Sequence, residues 1–350
     1  METIYFGGGT PSLLPSNQVY TLLTTLDQEI GIASDAEVTF EMDPATFDSN
    51  KMKEIKSVGV NRVSLGVQSF NNKILEKSGG AHRLNDVYRA LEDVTSSKND
   101  FVTIHYMCLI DWLYVCMYVY IWLHLMYCQY ISIVGGITNF SIDLISALPY
   151  LTMDEWTESL LQAKGCGAKH VSIYDLQIEE NTAFGRWYTP GVYPLPAEDT
   201  GAKMYKKAVE ILCSSSSSVV ADDFFEHYEV SNYAKKGYRS RHNQKYWSCS
   251  PVYGFGMAAA SYINGKRAVR PSSMRDYREY VNTLDGNEHE FSNDANTPLP
   301  TPDVYEYIML ALRTSDGVHL DHFRQLYGKD MYSLLLQSVK PYEYQGMESS

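Results

Sequence analysis

The chain has 350 residues and a formal net charge of −13, long enough to bury a full core and too acidic for a general affinity for nucleic acid. Its six cysteines are too few for a disulfide framework and favour a reducing compartment. No signal or transit peptide precedes Met1-Glu2-Thr3-Ile4, so the expectation is a cytoplasmic protein, or a mitochondrial or plastid one whose transit peptide is missing from this sequence.

Ile4-Tyr5-Phe6 runs into Gly7-Gly8-Gly9-Thr10-Pro11, a predicted strand ending in a turn bare of side chains. Such a turn lets a ligand approach backbone N–H groups. From Ser16 to Ile30, apolar Val19, Leu22, Leu23 and Leu26 mark a helix that Ser16 is placed to cap. A strand over 38–43 follows, then a helix over 48–58 ended by Gly59, and a strand over 62–68. A helix over 84–94 and strands over 140–145 and 171–177 extend the alternation. This order predicts right-handed βαβ units in a barrel or open sheet, with a ligand site at the carboxyl ends of the strands. Thr10, Glu41, Gln68, Asp143 and Gln177 fall at those ends, in register. Each alone reads as a cap or loop residue.

Residues 101–136 break the pattern. From Trp112 to Val134 there is no Asp, Glu, Lys or Arg, a length that nominally qualifies as a membrane span. Its position between a helix and a strand of one sheet argues first for a translated intron or similar artefact, then for an extra buried or surface helix, and last for a membrane anchor. Further on, a helix is expected over 199–212, then a Ser214–Ser218 linker. Phe225–Ala234 reads as one strand alternating across its faces, with His227 a packed or edge histidine. Arg241-His242-Asn243-Gln244-Lys245-Tyr246-Trp247 combines an imidazole, an amide and two large aromatics, and on composition alone is a loop anchored by Tyr246 and Trp247. A glycine-rich segment around Gly254 and Gly256 follows. Helical patterns from Ser273, over 304–312 and around 323–327 flank a proline-bearing linker at 293–302.

Gly-Gly-Gly-Thr-Pro at 7–11, Glu-Met-Asp-Pro at 41–44, Gly-Val-Gln-Ser-Phe at 66–70 and Ser-Ile-Asp-Leu-Ile at 141–145 together resemble the radical S-adenosylmethionine (SAM) proteins. The group resembled contains oxygen-independent coproporphyrinogen III oxidase and the haem chaperone HemW. The resemblance implies an α/β fold: a partial (β/α)6 barrel over 1–235, here without its first strand, and a small, mainly helical carboxy-terminal domain over 273–350, possibly truncated. Residues 236–272 would carry the haem signature and the glycine-rich segment. By position, Gly8, Gly9 and Thr10 would meet the amino-acid end of SAM, and Glu41, Gln68, Asp143 and Gln177 would supply further SAM contacts. His-Asn-x-x-Tyr-Trp is similar to the signature that separates HemW-like chaperones from true oxidases, which makes His242 the implied haem-iron ligand. The implied function is binding haem and delivering it to haemoproteins. The alternatives are oxidative decarboxylation in porphyrin synthesis and an inactive fragment. No nucleic-acid partner is implied, and no membrane partner apart from the doubtful segment 112–134.

Three departures accompany the resemblance. The Cys-x-x-x-Cys-x-x-Cys loop that holds the family's [4Fe-4S] cluster has no counterpart among Cys108, Cys116, Cys128, Cys166, Cys213 and Cys249. Radical chemistry is therefore not expected of the chain as written, and no catalytic residue is assigned. Gly80 stands where similar proteins carry an arginine that contacts the SAM carboxylate. Ala147 stands where a glycine usually follows Ile-Asp-Leu-Ile-Ser.

Overall fold

The computed structural model of the protein describes residues 1–95, 136–179, 182–189, 191–214, 224–284 and 301–343. The uncharged stretch 112–134 and most of both expected linkers lie outside them. Two compact units divide the chain: Met1–His227 with Ser231–Arg239, and Tyr228–Val230 with Ser240–Ser350.

The first unit is a curled half-barrel. Strands β1 (Thr3–Phe6), β2 (Glu37–Met42), β3 (Arg62–Gln68), β4 (Phe140–Ser146) and β5 (His170–Asp175) lie side by side in that order, each parallel to the next. Strands β6 (Glu226–Glu229) and β7 (Asn232–Ala234) complete the sheet in the order β5-β7-β6, with β7 antiparallel to β5. Between them run α1 (Ser16–Glu29), α2 (Ser49–Ser57), α3 (Asn72–Lys77), α4 (Leu84–Thr95), α5 (Met153–Gly165), α6 (Ala183–Trp187) and α7 (Glu198–Cys213).

Side chains alternate across a strand, and here the alternation separates core from site. Val63, Leu65 and Val67 of β3, Ile142 and Leu144 of β4 and Val171 of β5 are fully buried. They share one core with Val19, Ile55, Val87, Leu91 and Leu160 of the helices. The residues between them are polar: Glu37, Thr39 and Glu41, Arg62 and Ser64, Ser141 and Asp143, His170 and Ser172. These strands are therefore amphipathic, unlike the uniformly apolar strands of a sheet covered on both faces. On the polar face, buried Arg62 and Glu37 approach to 3.8 Å, and Arg62 donates to Asn139 Oδ1 at 2.9 Å. Trp156 of α5, also buried, donates its indole N–H to the Met204 carbonyl of α7 at 2.9 Å.

Two local expectations are corrected. The N-cap of α1 is Pro15, not Ser16, and the Ser16 hydroxyl instead donates to Glu54 Oε2 at 2.6 Å. Phe225–Ala234 is not one strand. It divides into β6 and β7 around Val230 and Ser231, and the Ser231 carbonyl accepts from Ile173 N at 2.7 Å.

The second unit contains α8 (Arg241–Trp247), the antiparallel hairpin β8 (Ala260–Ile263) and β9 (Lys266–Val269), and helices α9 (Met274–Leu284), α10 (Val304–Ala311) and α11 (Leu320–Glu343), the last interrupted by non-helical Gly328. Residues 241–247, which composition reads as a loop, form a helix because Ser240 caps it, its Oγ accepting from Asn243 N at 3.2 Å. The hairpin turns at Asn264 and Gly265, both with positive φ, as a two-residue primed turn requires. Buried Cys249, Tyr262, Tyr307, Leu310 and Phe323 form its core. Among the described residues no helix is long and apolar enough to cross a membrane.

Candidate functional site

Space and backbone conformation together account for the glycine triplet after β1. A Cβ on Gly7 would lie 2.6 Å from the Tyr5 ring and 3.1 Å from Glu41 Oε1. Gly8 and Gly9 have open surroundings but φ of +78° and +61°, a region that suits glycine. The turn is exposed through Thr10. The Gly8 N–H donates to Glu41 Oε2 at 3.0 Å, and the Tyr5 hydroxyl donates to Oε1 at 2.7 Å. Burial, reinforced by the charges of Glu41 and Asp143, pushes the Tyr5 phenol far above its usual range, so it stays a donor. Glu41 is thereby aimed by two donors while keeping lone pairs for a ligand.

Asp143 sits within β4 rather than at its end. The Ser64 hydroxyl lies 2.9 Å from Oδ2 and 3.1 Å from Oδ1, and Ser141 Oγ lies 2.8 Å from Ser64 Oγ. Burial pushes the Asp143 carboxyl up to about 6, with the Ser172 and Ser64 hydroxyls opposing, the Glu41 charge adding and Arg62 opposing. A cation in the half-barrel would relieve the cost of its charge. Gln68 ends β3 at φ +64°, and a Cβ on Gly80 would stand 3.4 Å from its Oε1.

The five residues expected in register are thus spread in depth. Glu41 pairs in register with Ser64 and Ser64 with Ser141, which places Asp143 two residues further along β4, opposite Ser172. Thr10 is exposed in the turn after β1, and Gln177 is exposed two residues beyond β5. Gly8, Glu41 and Asp143 are linked by contact or charge. Tyr5, Ser64, Ser141, Ser172 and buried His82 also belong to this region and escape the motif reading. Period-two polarity within the strands is the signal that finds the serines.

His242 belongs to the second unit. On α8 its Nε2 lies 3.3 Å from the Tyr246 hydroxyl one turn on, with the rings edge to face at 5.2 Å. Burial lowers the imidazole to about 4, so at neutral pH it keeps a nitrogen lone pair for a metal.

The donor chemistry of the half-barrel fits SAM: carboxylates and an amide for ammonium and ribose hydroxyls, open backbone N–H groups for a carboxylate. An iron–sulfur cluster does not fit. Described Cys166 and Cys249 are buried and Cys213 is half-buried, and no three His, Cys, Asp or Glu side chains among the described residues gather to hold a metal.

Comparison with known proteins agrees with this architecture. Residues 1–112 match the radical SAM superfamily and residues 300–349 match the HemN C-terminal domain. The chain is 35% identical over 318 residues to the heme chaperone HemW of Synechocystis, covering 91% of this chain and 66% of that protein. It is 29% identical to HemW of Lactococcus lactis, over 97% of this chain and 78% of the relative. The chain therefore spans about two thirds to four fifths of the length of these relatives. The solved structure of the coproporphyrinogen III oxidase HemN from Escherichia coli shares the fold, with a TM-score of 0.68 at 16% identity over 99% of this chain and 71% of that one. Half-barrel and matches together define a radical SAM superfamily protein. Within that superfamily, the chain belongs to the family of HemW and HemN, for which SAM and a [4Fe-4S] cluster are the implied cofactors.

Proposed function

We propose that the chain takes up haem at His242 and passes it to haemoprotein acceptors, with SAM held on the half-barrel as a structural or regulatory ligand. The observation that carries this reading is a neutral, half-buried imidazole on a capped helix, with the Tyr246 ring edge to face with it one turn away. Imidazole is a suitable axial ligand for haem iron, and aromatic faces suit a flat macrocycle. The relatives' description as heme chaperones supports the same assignment. On the half-barrel, Gly8 and Gly9 would face the SAM carboxylate, Thr10 its amino-acid end, and Glu41, Gln68, Asp143 and Gln177 its ammonium and ribose. SAM supplies a sulfonium cation when bound. This sequence provides no thiolate loop to hold a cluster.

Adding haemin to the purified chain tests the reading. A red-shifted Soret band that His242→Ala abolishes is the expected result. An unshifted spectrum with the unaltered chain overturns it.

A further inference from the structure

The β8–β9 hairpin of the second unit has one occupied edge and one open edge. Its strands pair antiparallel, with Ala260 opposite Val269, Tyr262 opposite Arg267 and Ile263 opposite Lys266. On its outer side Tyr262 exchanges both backbone bonds with Val252, its N–H donating at 2.8 Å and its carbonyl accepting at 2.9 Å. In an antiparallel ladder, a residue that turns its N–H and C=O away from its partner strand lies opposite one that does the same. Arg267 therefore turns its own N–H and C=O away from β8, and so does Val269 two residues on. No strand among the described residues lies on that side of β9, and all four residues of β9 are exposed.

An edge of this kind specifies its complement. Outward N–H and C=O groups at strand spacing suit an extended chain, which they would hold as an added strand. The edge is also held ready. The Asn264–Gly265 turn fixes one end. At the other, the Arg270 N–H donates to the Ala259 carbonyl at 2.9 Å and the Ala258 N–H to the Pro271 carbonyl at 3.1 Å. Little of the hairpin would have to be ordered on binding, which favours affinity.

Charge selects among extended chains. The protein as a whole is strongly acidic, yet from Ser240 to Arg275 there is no Asp or Glu and there are six Lys or Arg. Glu306 takes the Arg267 guanidinium at 2.9 Å, whereas exposed Lys266 has no ion-pair partner among the described residues. Val269, 66% exposed, adds an apolar contact on the same edge. A second copy of β9 laid alongside would set basic side chains against basic side chains, which disfavours self-pairing. We propose that the outer edge of β9 binds an extended acidic segment of a partner protein as an added strand, with a carboxylate beside Lys266 and an apolar side chain beside Val269. This site is independent of the haem reading, and the failure of either leaves the other standing.

The experiment titrates the full chain into a short labelled peptide alternating glutamate and valine, following fluorescence anisotropy and the amide hydrogen exchange of β9. The expected result is saturable binding that slows exchange at Arg267 and Val269. Lys266→Glu should weaken binding about tenfold, the equivalent of one charge-assisted contact. Val269→Pro removes an outward N–H while sparing the bonds to β8, and should abolish binding. The same peptide N-methylated throughout keeps its charge and loses every donor, so it should not bind, and it supplies this contrast even if Val269→Pro fails to fold. No binding by the unaltered chain overturns the proposal. So does equal binding of the N-methylated peptide, which would show attraction by charge alone, and so does binding that leaves the Arg267 and Val269 amides exchanging as before. A dimer of the chain that Val269→Pro dissolves would assign the edge to a second copy and overturn the acidic partner.

Discussion

Buried His82 faces Asp43 across the ends of two neighbouring strands: its Nδ1 lies 3.4 Å from Asp43 Oδ2 while its Nε2 lies 3.1 Å from the Val67 carbonyl. A carbonyl can only accept, so Nε2 carries a proton, and a carboxylate opposite Nδ1 favours a second. Burial alone would lower the His82 pKa. The contacts with Asp43 and the Val67 carbonyl outweigh it, and the net shift is upward. Asp43 shows the reverse: burial raises it, the His82 contact and the Ala45 N–H lower it more, and the net shift is downward. The pair ties the Glu-Met-Asp-Pro corner after β2 to the end of β3, where Gln68 sits.

The sign of the linkage follows. His82 is raised when folded, so its contribution is full below the unfolded value of 6.5 and is lost as pH rises through the folded one. Asp43 is lowered, so its contribution is full above 3.8 and is lost as pH falls through the folded value. The increment is therefore largest between 3.8 and 6.5. Replacing His82 with Ala should cost about 1–3 kcal/mol in that window, and less at alkaline pH. Urea unfolding at several pH values measures it. A cost independent of pH would show that His82 acts by packing alone.

Asp143 should give the half-barrel a fall in stability with rising pH, the same sign as His82 and the opposite of Asp43. Its folded pKa of about 6 exceeds 3.8, so the folded state holds the proton more tightly and ionisation destabilises it progressively across that interval. Asp143→Asn should flatten the fall in stability. A sulfonium or ammonium ligand favours the charged form, so SAM affinity should rise from about pH 5 to about pH 7, and should lose that rise in the Asn variant. Calorimetry at both pH values checks it, and a flat profile for the unaltered chain would count against Asp143 as a SAM contact.

Tyr5→Phe removes one of the two donors that aim Glu41 and leaves the ring in place. The fold should lose about 1 kcal/mol, the ordinary net value of one hydrogen bond. SAM affinity should fall several-fold, because Glu41 is then held only by the Gly8 amide. Gly7→Ala should do more, since its Cβ meets the Tyr5 ring at 2.6 Å and displaces both partners. Thermal melts with calorimetry separate the two effects. Unchanged affinity in both variants would remove Glu41 from the site.

Most of the half-barrel was legible because its cause is local. Val63, Leu65 and Val67, or Ile142 and Leu144, announce strands, and Asp48 and Gly59 bracket α2 as cap and stop. Depth was not legible. Glu41 and Asp143 both look like strand-end residues, yet their offset arises from registers set between strands far apart in sequence. The serines around Asp143 lie inside the strands, where the alternation of Ser64, Ser141 and Ser172 with apolar neighbours, rather than a motif, is their signal. In the second unit the Asn264–Gly265 pair is a strong hairpin signal that lies outside every motif, and it sets Tyr262 opposite Arg267. The helix at 241–247 was hidden by aromatics that read as loop anchors, while its capping Ser240 lies just before the motif.

Ala147, where the resemblance implies a glycine, holds φ +54°, directly after β4. A Cβ in the left-handed region costs about 1–2 kcal/mol, partly offset by alanine's smaller freedom in the unfolded chain. Ala147→Gly should therefore stabilise the first unit by about 0.5–1 kcal/mol. A rise in the urea midpoint with an unchanged slope is the expected readout. A fall would mean that the alanine methyl makes compensating contacts.

Gly80 bears on ligand affinity rather than on stability. Its backbone is not in the left-handed region, and an added Cβ would meet Gln68 Oε1 at 3.4 Å and the Leu75 carbonyl at 3.6 Å, both ordinary contacts. A side chain can therefore start from this position and run past Gln68. Arginine there would offer a paired donor to a carboxylate, which lysine or glutamine cannot match in geometry. Arg83, whose Nη1 donates to the Gly80 carbonyl at 2.7 Å, is a like-charged neighbour that limits the gain. Gly80→Arg should raise SAM affinity by about tenfold, and Gly80→Gln by much less. S-adenosyl compounds lacking the amino-acid carboxylate supply the control, because the arginine should not improve their binding. Equal improvement with and without that carboxylate would show that the new cation acts through the net charge of the half-barrel, and that the position beside Gln68 does not face the amino-acid end of the ligand.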